Sequence, residues 1–246
     1  MTQQRANNDD HDSSLLAQYS ELAQLAGELA HEIKNPLSVI RMNVDLLAED
    51  MREVDTPESR RALNKIDTVH NQCLRLESLL NDFLRFARLG KLDLRPSDLN
   101  EQIERVLDLF EVQAKENKVI IHKFFDAELP MVELNSETLH GALLNLVKNA
   151  MEAMPDGGQL EARTRTTRTG VALDLIDTGC GMDETTAMHM FNAFYTTKDG
   201  GSGLGLPTAR KIIEAHGGRI DVQSQEGRGT QFTIEFPTPR RISSES

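Results

Sequence analysis

Long hydrophobic runs are missing from this sequence of 246 residues, and its polar start, MTQQRANNDDHDSS, lacks the apolar core of a signal peptide. Basic side chains are also scarce, because 27 Lys and Arg stand against 39 Asp and Glu and leave a net charge of -12. That balance disfavours bulk electrostatic binding of nucleic acid or of an anionic membrane. We therefore expect a soluble chain without a membrane segment or a nucleic-acid partner, in which any phosphate is bound locally.

Cysteine is nearly absent. The two thiols, Cys73 and Cys180, lie far apart in the sequence, and neither stands in a CxxC or Cys/His metal-ligand spacing. Reduced thiols in a cytoplasmic protein are the simplest interpretation of this pattern.

The residues that are present divide into two parts near Gly90, as the chain length suggests. Residues 1–13 are polar, which predicts a disordered lead-in. Residues 14–90 carry apolar side chains at steps of three and four on both sides of Thr56-Pro57-Glu58, which supplies a cap, a proline and an acid for a new helix. We expect an all-α hairpin whose helices end near Arg52 and Gly90. Its exposed apolar stripes favour a dimeric four-helix bundle.

Residues 91–240 mix helix and strand spacings without strict βαβ alternation, which predicts an α+β two-layer sandwich and leaves residues 241–246 as a tail. Residues 91–94 alternate like a short strand, and Pro96 is expected to end it. The helical spacings cover residues 99–115, 136–154 and 206–216, and the strand spacings cover residues 119–125, 159–167, 171–177, 219–225 and 230–236.

A six-residue string in the first helix, His31-Glu32-Ile33-Lys34-Asn35-Pro36, carries reactive side chains. Proline costs a helix interior about 3 kcal/mol, and Pro36 is expected to open the helix one turn after His31. A neutral imidazole is a competent nucleophile, and Glu32 could orient its second nitrogen. Asn35 lies on nearly the same helix face and could position a water for hydrolysis of a phosphoryl group.

Together with Leu37, this string resembles the histidine box of the HisKA-type dimerisation and phosphotransfer domain of sensor kinases, which often reads H-E-[IL]-[KR]-N-P-L. The resemblance implies that His31 is the phosphoacceptor, Glu32 its acid/base partner and Asn35 the phosphatase residue. A lone histidine on a helix is more often an ordinary surface or core residue. The complete string favours the resemblance over that alternative.

Two glycine-rich strings indicate where a nucleotide binds. Asp177-Thr178-Gly179-Cys180-Gly181-Met182 follows a strand, and a buried aspartate there is suited to accept the exocyclic amine of adenine, while its glycines allow close approach to a flat ligand. Gly200-Gly201-Ser202-Gly203-Leu204-Gly205-Leu206 leads into a helix, whose N-terminal N–H groups can bind phosphates. Neither a Walker-A motif nor a dinucleotide-binding fingerprint fits, because no GKS or GKT follows and no βαβ unit opens there.

Two further elements accompany the glycine strings. Asn145 and Asn149 are four residues apart on the preceding helix, and an amide oxygen is a good ligand for Mg²⁺, with Asn149 the better candidate. Lys148 could reach the phosphates, although a surface lysine is more often simply solvated. Residues 191–198, FNAFYTTK, are predicted to form a lid rather than an ordinary flexible loop.

In this order the strings resemble the asparagine, first glycine, phenylalanine and second glycine boxes of the ATP-binding superfamily of gyrase, the heat-shock chaperone, histidine kinases and the mismatch-repair ATPase. The pattern departs at Asn192 and Ala193, where the phenylalanine box usually has Glu and Pro, and at Glu152, where many relatives carry a base. The resemblance therefore leaves Lys148 to supply that charge. The nucleotide-binding residues that it implies are Asn145, Lys148, Asn149, Asp177, Gly179, Gly181, Thr196, Thr197, Lys198, Gly201, Gly203, Leu204, Gly205, Leu206 and Thr230.

The joint resemblance implies a sensor histidine kinase. It implies that this chain is a cytoplasmic homodimer that binds ATP and Mg²⁺, phosphorylates His31 and passes the phosphoryl group to an aspartate of a response regulator. Phosphatase activity toward that regulator is also expected. Two other functions compete with this one: a superfamily ATPase acting as a conformational switch, which leaves residues 31–36 unexplained, and a non-catalytic dimer scaffold, which the intact Asn149 and Asp177 disfavour.

Overall fold

The structure is a computed structural model that describes residues 32–52, 56–87, 92–198 and 201–238. The described residues divide into two compact units, with the boundary between Gly90 and Lys91. The predicted lead-in at residues 1–13, the candidate phosphoacceptor His31 and the predicted tail at residues 241–246 lie outside them. Among the described helices, none is long and apolar enough to cross a membrane.

Two helices make up the described part of the first unit. Helix α1 is helical throughout residues 32–52, Pro36 included, and α2 covers Pro57–Ala87. Thr56 caps α2, since its Oγ1 accepts a hydrogen bond from the Ser59 N–H at 3.1 Å. The predicted start of the second helix is therefore confirmed.

Polar contacts between described residues join these helices. The Arg41 guanidinium lies 3.1 Å from the Glu77 carboxylate, and His70 Nε2 lies 3.5 Å from Asp45 Oδ1. Because the later residue of α1 meets the earlier residue of α2, the two helices are antiparallel. The predicted all-α hairpin is confirmed.

The apolar side chains of α1 fall on two faces rather than on one stripe. A buried face carries residues that are at most 9% exposed, and these are Leu37, Val44 and Ala48. A second face repeats every seven residues and is 49% exposed at each position, and it consists of Ile33, Ile40 and Leu47. The single chain thus leaves a continuous apolar surface of α1 open to water, which is costly for a helix on its own.

The second unit begins with β1 (Arg95–Ser97), α3 (Leu99–Glu116), β2 (Val119–Phe124) and β3 (Val132–Leu134). It continues with α4 (Ser136–Glu152), β4 (Gly158–Thr166), β5 (Gly170–Asp177) and α5 (Glu184–His189). It closes with α6 (Gly205–Ala215), β6 (Arg219–Gln225) and β7 (Gly229–Pro237). Five strands form one sheet in the order β2-β4-β5-β7-β6, in which β2 and β4 are parallel and the other neighbours antiparallel.

Helices α3, α4 and α6 pack on one face of this sheet. Alternate strand residues point toward them and are fully buried, as at Leu160, Leu173 and Ile234, and the helices contribute Leu143 and Ile213. Each such side chain stabilises the fold by roughly 1.5–3 kcal/mol on leaving water. The predicted α+β two-layer sandwich is confirmed.

One local prediction for this unit was wrong, and two short elements were missed. Pro96 lies inside strand β1 instead of ending a strand, and it stands opposite Glu133 of β3 in a separate two-stranded sheet. An edge strand tolerates proline because the missing N–H need not bond to a neighbour. Sequence reasoning also missed β3 and α5, because 3 and 6 residues are too few to display a periodic pattern.

His216 fixes α6 against the start of α4. The imidazole is only 4% exposed, and its Nε2 accepts a hydrogen bond from the Asn135 N–H at 3.0 Å. Since the Asn135 N–H can only donate, the ring proton must be on Nδ1, which donates to the Ile212 carbonyl at 2.7 Å. Asn135 is also the cap of α4, so one buried side chain positions two helices that carry predicted site residues.

Replacing His216 by Ala should therefore lower the free energy of unfolding of the second unit by about 2–3 kcal/mol, since a cavity forms and the Asn135 N–H loses its acceptor. A His216→Gln variant keeps an acceptor near the Nε2 position and should lose clearly less. Calorimetric unfolding of the full chain measures both changes. Equal stability of the parent and both variants would contradict this role.

Candidate functional site

Asp177, the last residue of β5, is a buried carboxylate with one oxygen still available. Its side chain is 5% exposed, and Oδ1 accepts hydrogen bonds from the Gly179 N–H at 2.9 Å and the Thr230 N–H at 3.2 Å. Oδ2 receives no hydrogen bond from the described residues. Burial raises the pKa of Asp177, and the two N–H groups and the charge of Lys198 only partly offset this effect. The free oxygen is therefore a strong acceptor for an N–H donor.

The first glycine string packs against protein backbone on both sides. Gly181 has φ +64, and a Cβ there would collide with the Gln225 carbonyl oxygen. A Cβ at Gly179 would lie 2.6 Å from the Ala153 carbonyl oxygen. The glycines are thus required where the loop passes between the end of α4 and the β6–β7 turn. Their close approach to a ligand stays a prediction.

A serine that sequence reasoning missed holds this loop to the last strand. Ser224 Oγ accepts a hydrogen bond from the Met182 N–H at 2.9 Å and donates to the Gly229 carbonyl at 3.1 Å. The Thr230 hydroxyl lies 2.9 Å away and donates to the remaining lone pair of Ser224. Thr230 is therefore oriented through Ser224. No motif in the sequence marks Ser224, because it is one of several polar residues in an ordinary strand.

The N-terminus of α6 is open to an anion. Leu204, 1% exposed, is the cap residue and offers no side-chain hydrogen bond, and the first turn contains no acidic residue. Pro207 has no N–H, and the Thr208 N–H is bonded to Leu204, so the N–H groups of Gly205 and Leu206 remain without an acceptor among the described residues. Such groups, together with the helix dipole, bind phosphates.

Two contacts hold this helix start in place. The Asn145 amide donates to the Gly205 carbonyl at 3.2 Å, which ties the start of α6 to α4. Gly203 has φ +65, and a Cβ there would lie 2.5 Å from the Phe194 carbonyl carbon. The predicted residues Asn145, Gly203, Leu204, Gly205 and Leu206 are thus brought together by the fold.

Lys198 lies at the far end of this region and contacts α4, the asparagine helix, which carries Asn145 and Asn149. Its Nζ donates to Asn149 Oδ1 at 2.7 Å and to Glu152 Oε2 at 2.5 Å. Lys148, which the sequence made the expected source of charge, lies 3.8 Å from the other oxygen of Glu152 and is 66% exposed. The lysine that lies closest to Glu152 is therefore Lys198, from residues 191–198, and not Lys148.

The donor set fits a magnesium ion that is shared with a ligand. The described residues contain no group of three His, Cys, Asp or Glu side chains that could hold a metal by themselves. Mg²⁺ commonly takes one or two protein oxygens and fills its remaining positions with water and phosphate oxygens. Asn149 Oδ1 already faces a cation, so it is suitably directed for that role.

Residues 191–198 form turns rather than a helix or strand. Phe194 has φ +67, which is uncommon for a bulky residue, and its N–H donates to the Gly203 carbonyl at 3.0 Å. Thr196 Oγ1 accepts from the Lys198 N–H at 3.1 Å, and the Gly201 N–H donates to the Lys198 carbonyl at 3.2 Å. Thr197 is exposed. The segment is therefore attached to predicted site residues at its middle, through Phe194, and at its end, through Lys198. Its action as a lid stays a prediction.

Of the three residues predicted for phosphotransfer, two can be described. Glu32 and Asn35 are both exposed on α1, one turn apart. Their side chains are accessible to an approaching partner.

Comparisons with known proteins agree with both units. Residues 134–240 match the family described as histidine kinase-, DNA gyrase B- and HSP90-like ATPase, and residues 21–92 match the His Kinase A (phospho-acceptor) domain. The solved catalytic domain of the histidine kinase ThkA is 33% identical with a TM-score of 0.55, and the match covers 60% of this chain and 100% of that one. This chain belongs to the histidine kinase family.

Longer histidine kinases are similar over most of this chain. The sensor histidine kinase ZraS of Escherichia coli K12 is 32% identical over 216 residues, which cover 88% of this chain and 45% of ZraS. Full-length ShkA, solved in complex with AMPPNP, has a TM-score of 0.70 at 29% identity and covers 89% of this chain and 47% of its own. ThkA in complex with the response regulator TrrA has a TM-score of 0.64 at 28% identity, covering 91% and 64%. The chain spans less than half the length of the curated relatives it matches.

The raised pKa of Asp177 predicts how the stability of this histidine kinase depends on pH. Because the folded pKa lies above the unfolded one, ionisation costs stability at neutral pH, and the cost fades as the pH falls through the raised pKa. The side chain in Asp177→Asn carries no charge, and its amide oxygen can still accept the two hydrogen bonds that Oδ1 accepts. We expect its free energy of unfolding, measured without ligand, to exceed that of the parent by up to about 1 kcal/mol near pH 7. The difference should shrink at lower pH.

Asp174, on the opposite face of β5, is the matched control. Burial alone would raise the pKa of Asp174, but hydrogen bonds from Arg165 at 3.0 Å and Thr233 at 2.7 Å outweigh burial and lower it. Its ionised form therefore stabilises the fold, and that stability is lost as the pH falls through the lowered pKa. Asp174→Asn should be less stable than the parent at pH 7. A loss of stability in both variants would disprove the assignment for Asp177.

Proposed function

We propose that this chain is the catalytic core of a homodimeric sensor histidine kinase, which transfers the γ-phosphoryl group of ATP to His31 and then to an aspartate of a response regulator. Residues 14–90 would serve dimerisation and phosphotransfer, and residues 91–240 would bind ATP. One observation carries the proposal: Asp177 is a buried carboxylate with one oxygen still available to a donor. Two further groups of the second unit support it. Asn145 ties the uncapped start of α6 to α4, and the Asn149 amide on α4 faces the ammonium group of Lys198.

Each part of that site suits one part of ATP. The free oxygen of Asp177 can accept the exocyclic amine of adenine, with Thr230 beside it. The N–H groups at the start of α6 can bind the phosphates. Asn149 would share Mg²⁺ with the phosphate oxygens, and the ion would neutralise charge that builds up during transfer. The remaining contacts are assigned to the threonines and lysines of the asparagine helix and of residues 191–198, namely Lys148, Thr196, Thr197 and Lys198.

Two solved relatives support the substrate and the partner. ShkA was solved with AMPPNP and ThkA with the response regulator TrrA. The similarity of this chain to both supports ATP as its phosphoryl donor and a receiver domain as its partner.

The transfer itself needs few protein groups. A neutral imidazole nitrogen of His31 attacks the γ-phosphorus, the bond to the bridging oxygen breaks, and ADP leaves. Glu32, the next residue, can stabilise the positive charge on the phosphorylated ring. A carboxylate oxygen of the regulator then takes the phosphoryl group from the nitrogen, which restores the neutral imidazole. Alignment of the two reactants supplies most of the remaining rate enhancement.

The exposed helix surfaces support the homodimer. Besides the open face of α1, helix α2 exposes Val69, Leu74 and Leu76 by 45, 41 and 52%. A second copy of the hairpin would cover these side chains in a four-helix bundle. We also assign the chain to the cytoplasm, since the free thiols Cys73 and Cys180 suit a reducing compartment.

The central prediction concerns the phosphorylated residue. Incubation with Mg-ATP should place phosphate on the chain that is labile to acid and stable to base, as phosphohistidine is, and His31→Gln should abolish it. His70→Gln is the matched control and should keep the label, since His70 lies on α2 beside Asp45. Labelled ATP and mass spectrometry locate the phosphate. Label that persists in His31→Gln, or an unlabelled parent, would falsify the proposal.

A second prediction separates dephosphorylation of the regulator from phosphorylation of His31. Asn35→Ala should leave labelling of His31 within about twofold of the parent but slow dephosphorylation of the phosphorylated regulator by about tenfold or more, because the water loses its positioning group. Asn43→Ala is the control, since Asn43 is exposed on the same helix and its amide bonds only to the Val39 carbonyl at 2.8 Å among the described residues. Regulator dephosphorylation is followed on phosphate-affinity gels. Equal rates for both variants would remove Asn35 from this role.

A further inference from the structure

Lys198 occupies the position that a metal ion would be expected to take. Its ammonium group lies 2.7 Å from Asn149 Oδ1 and 2.5 Å from Glu152 Oε2, so two oxygen atoms of the asparagine helix bind one cation. The lysine itself belongs to the turn segment between the two glycine strings. The contact therefore links that segment to α4.

A lysine and a magnesium ion cannot both use Asn149 Oδ1 without a penalty. Magnesium binds oxygen at about 2.0–2.1 Å. An ammonium group on the same oxygen would then lie only about 3–4 Å from the ion, where two positive charges repel strongly. Binding of magnesium at Asn149 therefore requires Lys198 to move.

The contact is weak enough to be displaced. The side chains of Lys198 and Glu152 are 43 and 37% exposed, and ion pairs in contact with water contribute little to stability. Glu152 has a specific part in the contact, because it is the only carboxylate among the described residues that forms an ion pair with Lys198.

We propose that Lys198 is an internal counter-cation of the magnesium site, which occupies Asn149 in the nucleotide-free kinase and leaves it when magnesium and nucleotide bind. Glu152 is the positioning residue that keeps Lys198 there. The inference rests on the proposed function, since it assumes that Asn149 binds magnesium with ATP. It assigns to Glu152 the holding of a competing cation rather than a contact with ATP.

The test is a double-substitution cycle read out by binding rather than by turnover. The full chain is titrated with AMPPNP at increasing magnesium concentrations, and the magnesium concentration that gives half-maximal binding is measured. Glu152→Gln should lower this concentration about threefold or more, because the competing lysine is held less firmly. In a Lys198→Met background the same substitution should not lower it. In a Lys148→Met background the effect should persist, since Lys148 lies 3.8 Å from Glu152 and does not contact Asn149.

The cycle distinguishes the possible failures. Removing the charge of Glu152 could alter nucleotide binding without any part played by Lys198, and the effect would then be equal in all three backgrounds, which overturns the inference. No effect of Glu152→Gln in the parent overturns it as well. A parent chain that binds no magnesium nucleotide overturns the proposed function and the inference together. Thermal unfolding of each variant confirms that the second unit remains folded.

Discussion

The nucleotide half of this kinase depends on the burial of one carboxylate. Asp177 is taken out of water at the end of β5, and two backbone N–H groups, from Gly179 and Thr230, stabilise one of its oxygens. Those donors come from the first glycine loop and from β7, so the same contacts that stabilise the carboxylate also hold the loop against the sheet. Ser224 adds a second link between these segments. The loop, the last strand and the free oxygen are therefore fixed relative to one another before any ligand arrives.

The sequence could predict the long elements and the types of side chain at the site. Periodicity located α3 almost to the residue, and the cap at Thr56 located the start of α2. Spacing also predicted that Asn145 and Asn149 share a helix face. These features are local, so a short stretch of chain contains the whole signal.

What could not be predicted depends on distant residues. Ser224 acts through partners that are about 40 residues away or on a neighbouring strand, and nothing in its own surroundings marks it. The sequence pointed to Lys148 as the source of positive charge, but Lys198 lies closer to Glu152. That contact depends on how residues 191–198 fold back onto α4, because Lys198 and Glu152 are 46 residues apart in the sequence. Pro96 was misjudged because its tolerance depends on an edge position that only the pairing with β3 reveals.

The sheet order has a consequence for how the protein is made. Strand β7 follows every other described strand in the sequence, yet it lies between β5 and β6 in the interior of the sheet. During synthesis, β7 therefore leaves the ribosome after the other described strands, although it is the strand that joins β6 to β5. Until then β6 has no neighbour to pair with, and Asp177 lacks its bond from Thr230. The carboxylate at the end of β5 therefore gains its full set of backbone hydrogen bonds only once β7 is free to pair.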